Sequence, residues 1–212
     1  MTVLRRTLAS LFLLASLAAP ALAAPKGHAL SAEDMAAVAQ AEQYLNGVQT
    51  MQSKFIQVGA NGRPIGGTFS LSRPGRMRLE YDPPVKDFVV ADGTFLYYWD
   101  GEMEQQSSTT IGSTLAAFIL RPDIRLSGDV TVVDVFRTPG AVEVTLQETK
   151  DPGKGTLTLV FEDRPFQLRK WRVLDAQGLV TEVALLNPRQ GVSFDRNLFT
   201  FREPARARDL FK

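Results

Sequence analysis

Five carboxylates, Asp82, Asp92, Asp100, Glu102 and Glu104, fall near the ends of segments that alternate apolar and polar residues. Paired acids in such places can serve as general acid and base. The ordinary reading of these five is turn and edge chemistry, because Asp82-Pro83-Pro84, Asp92-Gly93 and Asp100-Gly101 are turn sequences. His28 is the only histidine, and cysteine is absent. A thiol nucleophile and the usual zinc ligand sets are thereby excluded. A serine triad would have to recruit His28, which precedes every ordered element expected from the sequence. No nucleophile elbow, phosphate loop or dinucleotide loop is present. Tyr97-Tyr98-Trp99 could stack a base or a sugar, but nothing basic adjoins it, and aromatic strands are more often core. The side chain best placed to act is Arg73. Its planar fork of five donors stands at a strand end, within reach of the backbone carbonyls of a neighbouring helix; a surface arginine without a task is the ordinary alternative. The chain is therefore read as a non-enzyme with no catalytic residue, metal or cofactor.

The elements that would position these residues are mostly strands. In RMRLEY, Met77, Leu79 and Tyr81 share one face while Arg76, Arg78 and Glu80 share the other. Ile65, Gly67, Phe69 and Leu71 alternate in the same way, with Gly66-Gly67 marking a bulge or bend. Further strands are expected at 87–91, 94–100, 130–137, 141–149, 156–161, 168–174 and 179–186, with a last short one at 199–201. Turn sequences such as Thr138-Pro139-Gly140 and Ala176-Gln177-Gly178 separate them. The inward face of 94–100 stays open, because Phe95, Tyr97 and Trp99 compete with Leu96 and Tyr98. Two helical pieces interrupt the pattern. One spans about 32–47, with Ser31 as N-cap, Asp34 near the positive dipole end, and Met35, Val38, Leu45 and Val48 as an apolar stripe. The other is 111–120, where Leu115, Phe118 and Ile119 recur at helical spacing and Arg121-Pro122 ends the run. The sum is one long, curved antiparallel sheet whose concave side two small helices only partly fill.

The first 23 residues carry Arg5 and Arg6, an apolar run and the small-x-small sequence Ala21-Leu22-Ala23, the pattern of a cleaved export signal. The apolar run is shorter than the about 20 residues that span a bilayer. Cleavage would leave one domain over 24–212, enough chain for a core without disulfides. It would remove two arginines and no acid, shifting the net charge from +1 to −1. That balance argues against nucleic acid as a partner. Without a cysteine at the cleavage site the mature protein cannot itself be lipidated there. The mature protein is expected to be soluble in the compartment it enters, as a monomer.

Several segments together resemble the LolA family of periplasmic outer-membrane lipoprotein carriers. They are Arg73-Pro74 with Met77, Leu79-Glu80-Tyr81 and Pro83, then Val89-Val90-Ala91-Asp92-Gly93 and Leu96-Tyr97-Tyr98-Trp99-Asp100. Phe55-Ile56-Gln57 upstream, Gly112-Ser113-Thr114-Leu115, and Phe199-Thr200-Phe201 with Pro204 extend the match over nearly the whole mature chain. The chain departs from the family pattern at Leu115, often proline there, and at Leu79, often aromatic. The resemblance implies a mainly β fold with a helical lid: an unclosed, strongly curved antiparallel β-barrel enclosing a hydrophobic cavity. It implies a carrier of acylated lipoproteins, which receives cargo from an inner-membrane ATP-driven release complex and passes it to an outer-membrane lipoprotein receptor. It places a lid-latching role on Arg73. The acyl-chain cavity is expected to be lined by Phe69, Leu71, Met77, Leu79, Tyr81, Leu96 and Tyr98, with Leu115, Phe118 and Ile119 from the lid. A sensor, or a carrier of another lipid, on the same fold is the alternative.

Overall fold

The computed structural model describes residues 29–113 and 117–204. The expected export signal, His28, Leu115 and the charged tail at 206–212 lie outside them.

Helix α1, Ala32–Gly47, opens on a reciprocal cap: Ser31 Oγ accepts from the Asp34 N–H, and the Asp34 carboxylate accepts from the Ser31 N–H. Its buried face differs from the expected stripe. Ala37, Ala41 and Leu45 turn inward, whereas Met35 is 57% exposed. The two alanines let the helix lie close to the sheet, which a stripe drawn through the large residues overlooks.

Eleven antiparallel strands form one sheet. The N-terminal half is β1 Thr50–Val58, β2 Pro64–Ser72, β3 Arg76–Tyr81, β4 Phe88–Asp92, β5 Phe95–Asp100 and β6 Gln105–Thr110. The C-terminal half is β7 Val130–Thr138, β8 Ala141–Glu148, β9 Gly155–Asp163, β10 Phe166–Asp175 and β11 Val180–Gln190. Each half is a meander, and β1 joins them by pairing with β11, giving the order β6-β5-β4-β3-β2-β1-β11-β10-β9-β8-β7. The edges β6 and β7 are not paired to each other, so the barrel is unclosed.

Besides β1, which is not among the strands expected from alternation, the sheet departs from the expected pattern in four places. β6, QQSSTT, is fully exposed and carries no apolar alternation, so only its backbone ladder to β5 makes it a strand. β11 continues to Gln190 through an irregularity opposite Ser53, where Asn187 has φ 54° and Pro188 follows. Gly66 and Gly67 lie in an unbroken ladder, with no bulge. Phe199–Phe201 is not a strand: residues Arg196–Phe199 form a 3₁₀ turn, Thr200 is extended and Phe201 follows outside any regular element.

The segment expected as one helix over 111–120 is a 3₁₀ turn, Ile111–Ser113, and a single-turn helix α2, Ala117–Leu120. The chain then crosses back over α1. Asn46 donates to the Ile124 carbonyl and accepts from the Ile124 N–H, both at 2.9 Å, and Glu42 accepts from the Leu126 N–H at 2.6 Å.

The two faces of the sheet are packed separately. The main core fills the concave side between the sheet and the helices. On the convex side, Phe88, Val90 and Trp99 form a second cluster capped by Phe201, which stacks on Tyr97 at 4.9 Å. That settles the face of β5: Trp99 points outward, while Leu96 packs on the main core.

Candidate functional site

Alternation in β2 and β3 sends Phe69, Leu71, Met77 and Leu79 to the concave side, where all four join the main core. On the opposite wall, Leu157 and Leu159 of β9 face them, with Leu168, Trp171 and Val173 of β10. Leu168 and Trp171 are an odd number of residues apart, yet both point inward. An extra residue, Arg169, between Leu168 and Lys170 in the ladder with β9 makes this possible. Phe69 and Trp171 meet edge to face at 5.6 Å across the concavity.

Between the walls lies a hollow of about 120 Å³, lined by those side chains of β2, β3, β9 and β10 except Leu71, and closed on one side by Ile119 of α2. A smaller space of about 30 Å³ continues toward Tyr44, Leu45 and Val48 of the α1 end, with Leu71 and Arg73 in its wall. All lining side chains of the larger space are apolar. An apolar cavity near 150 Å³ takes one benzene. In this closed arrangement the hollow therefore accepts only a few carbons, and a fatty tail would need α2 to move aside.

Arg73, in the wall of the smaller space, is 8% exposed. Its Nε and Nη2 donate to the Arg121 carbonyl at 3.0 and 2.6 Å, and Nη2 also reaches the Pro122 carbonyl at 3.3 Å. Nη1 donates to the carbonyls of Leu45 and, at 3.1 Å, Val48. These acceptors are the final carbonyls of α1 and the chain just beyond α2. The last turn of α1 contains no basic residue of its own, so the arginine of a distant hairpin serves that dipole end. The adjacent Gly75, at φ 78°, donates its N–H to the Leu120 carbonyl at 2.8 Å. A side chain at Gly75 would also strike Gly93 Cα at 2.8 Å, so two hairpin turns press together beneath α2. Burial lowers the Arg73 guanidinium from its ordinary value, and Asp123 pushes it back up. An arginine remains charged through such a change.

Of the residues expected to line the cavity, Phe69, Met77, Leu79 and Ile119 line the larger space and Leu71 the smaller. Tyr81 lies one inward position beyond Leu79 and donates to Gln57 Oε1 at 2.9 Å. Leu96 packs on the core without lining the hollow. Tyr98 donates to Asp87 Oδ2 at 2.8 Å and does not reach it. Phe118 is buried, with the Arg121 guanidinium 5.9 Å from its ring, and stays out of the larger space. The wall from β9 and β10 was not anticipated. Its alternation is visible in sequence, but its position opposite β2 and β3 depends on the β1–β11 pairing. The five carboxylates remain at turns: Asp92 accepts from the N–H groups of Thr94 and Phe95, Asp100 from those of Glu102 and Met103, and Asp82 pairs with Lys54 at 3.1 Å.

Residues 46–202 match the model of the family described as outer membrane lipoprotein carrier protein LolA. The outer-membrane lipoprotein carrier protein of Methylococcus capsulatus is 28% identical over 170 residues, covering 76% of this chain and 81% of the relative. That of Pseudomonas aeruginosa is 28% identical over 199 residues, covering 88% and 92%. Among solved structures, a LolA superfamily protein from Nitrosomonas europaea aligns with 77% of this chain and 97% of its own at 8% identity, with a TM-score of 0.43. The family match spans both walls of the hollow, the short helix that closes it and the Arg73 hairpin: this chain belongs to the LolA family.

Proposed function

We propose that the protein is a periplasmic carrier that shelters the acyl chains of lipoproteins. In this reading it receives them from an inner-membrane ATP-driven release complex and yields them to an outer-membrane receptor. The observation that carries the proposal is the apolar hollow between two sheet walls, closed by a short helix whose far end is held through one arginine. No catalytic step is assigned.

The energetics favour a hollow that opens over a permanent deep one. Burial is worth ~0.8 kcal/mol per CH₂, so one fatty tail of roughly sixteen carbons would gain about 13 kcal/mol. Two such tails, fully buried, would pass the practical affinity ceiling of about −18 to −21 kcal/mol, and a carrier of that kind would not release its cargo. Part of the burial energy is instead spent on displacing α2 from Ile119's contacts and on loosening the Arg73 bonds, each worth roughly 0.5–3 kcal/mol net. Transfer then requires only a partner offering a better apolar surface. Arg73 is the proposed latch; Phe69, Leu71, Met77, Leu79 and Ile119 are the proposed contacts for the tail.

Native mass spectrometry of the protein purified from its own periplasm tests the proposal. A co-purified acylated polypeptide is the expected result. Free phospholipid in its place would make this a carrier of another lipid, and absence of any acyl species under conditions that retain detergent-sized ligands would overturn the proposal.

A further inference from the structure

An uncharged polar pair interrupts the apolar concave face of β1–β3. Gln57 of β1 and Tyr81 of β3 have β2 between them, which places their backbones about 9–10 Å apart. Their side chains nevertheless meet, Tyr81 Oη donating to Gln57 Oε1 at 2.9 Å. Gly67 of β2 permits the crossing. It pairs with Tyr81 on one side and Phe55 on the other, and it offers no side chain. The Phe55 ring fills the place instead: a Cβ at Gly67 would lie 2.6 Å from its Cε1 and Cζ. Tyr81 rests edge to face on that ring, at 5.5 Å.

The pair stands about 7 Å along the strand from Leu79, which lines the hollow, and at the opposite end from Arg73. Both residues are half-buried. Tyr81 commits its proton to Gln57 and so fixes the orientation of the amide. That leaves Gln57 Nε2, which has no protein partner among the described residues, with two N–H groups to offer. The charge that acts on the Tyr81 phenol, that of Asp87, has the wrong sign for an anion. Burial pushes the Tyr81 phenol above its ordinary value, and Asp87 pushes it further up. Lys54, the cation beside this end of β1, is exposed and paired with Asp82 at 3.1 Å.

We propose that Gln57, oriented by Tyr81 across Gly67, is a carbonyl-binding subsite beyond Leu79, past the end of the hollow away from Arg73. It would take the ester or amide carbonyl through which a fatty tail joins its head, and it would disfavour a free carboxylate. Gln57 is the ligand donor and Tyr81 a positioning residue. The subsite rests on the carrier reading above and deepens it: the tail is registered at its first carbonyl, with the hydrocarbon directed toward Leu79.

Calorimetry below the micellar concentration, with three probes bearing lauryl-length tails, tests this. The probes are sucrose monolaurate with an ester carbonyl, dodecyl maltoside with an ether, and laurate with a carboxylate. The wild-type protein should bind the ester roughly 2–10-fold tighter than the ether, the worth of one hydrogen bond, and tighter than laurate. Gln57→Leu should bring the ester down to the ether and leave the ether unchanged. Tyr81→Phe, which keeps the ring on Phe55, should lose part of the ester preference only. Equal binding of ester and ether by the wild type, or equal weakening of both in Gln57→Leu, overturns the subsite and leaves the carrier reading standing. Failure of the wild type to bind any probe overturns both.

Discussion

Arg73 and Arg121 are joined side chain to main chain by two hydrogen bonds, at 3.0 and 2.6 Å, into a single carbonyl. The same guanidinium holds the Leu45 and Val48 carbonyls of α1. One side chain therefore ties the helix that fills the barrel to the chain that closes it. Neither helix end can shift far without leaving buried carbonyls unmet.

Arg73→Leu should cost about 2–4 kcal/mol in urea unfolding, because several buried acceptors lose a charged donor together. Arg73→Lys should recover less than half, since one ammonium cannot span acceptors on both sides. The informative measurement is amide hydrogen exchange. Ile124 and the residues around Arg121 should exchange faster in both variants while the β1–β11 ladder keeps its protection. An unchanged rate at this crossing would mean that Asn46 and Glu42 alone hold it.

Gly66 and Gly67 are neighbours with different constraints. A Cβ at Gly67 would sit 2.3 Å from the Glu80 carbonyl oxygen, which belongs to a paired strand and cannot yield cheaply. At Gly66 the nearest atom is an Asp82 carboxylate oxygen at 3.3 Å, the end of a flexible, exposed side chain. Gly67→Ala should lose about 1–3 kcal/mol. Gly66→Ala should be close to neutral, or gain up to about 1 kcal/mol from a less mobile unfolded chain. Paired thermal melts decide it; equal effects would show that the β3 backbone at Glu80 and the Phe55 ring both give way freely.

The fold was readable where burial writes itself into every second residue. β3 alternates without exception, and Ser31 with Asp34 announces the start of α1. It was unreadable where backbone or long-range geometry decides. QQSSTT is a strand only because β5 lies beside it. Phe199-Thr200-Phe201 mimics alternation, but the two phenylalanines have separate tasks: Phe199 meets Phe194 edge to face, and Phe201 covers Phe88 and Tyr97. Half of the hollow was missed for a similar reason. The irregularity at Arg169 that brings Trp171 onto the face of Leu168 has no mark in the local sequence, and the meeting of Trp171 with Phe69 depends on strands far apart in the chain. Arg73 was legible as a donor at a strand end, yet its service to two helix ends at once was not, because α2 is only one turn long.

The start of α1 predicts a defined acid sensitivity. Asp34 accepts from the Ser31 N–H and hydroxyl at 2.9 and 2.8 Å and from Arg137 Nη1 at 2.6 Å. These bonds, those from Ser31 foremost, hold its carboxyl at about 2, against an ordinary 3.8. A carboxyl lowered on folding stabilises the native state fully above its unfolded value, and the contribution drains away as pH falls through the folded one. The stability difference between wild type and Asp34→Asn should therefore be constant near neutrality, shrink from about pH 4 downward, be mostly lost by pH 2 and vanish only below it. Arg137 reaches Asp34 from β7, so Arg137→Leu should raise the Asp34 value and move the window upward without abolishing it, because the Ser31 bonds persist. Urea midpoints against pH, with carboxyl titration by NMR, read both effects. A difference that stays constant down to pH 2 would mean that the Asp34 carboxyl is not held in its charged form at the helix start.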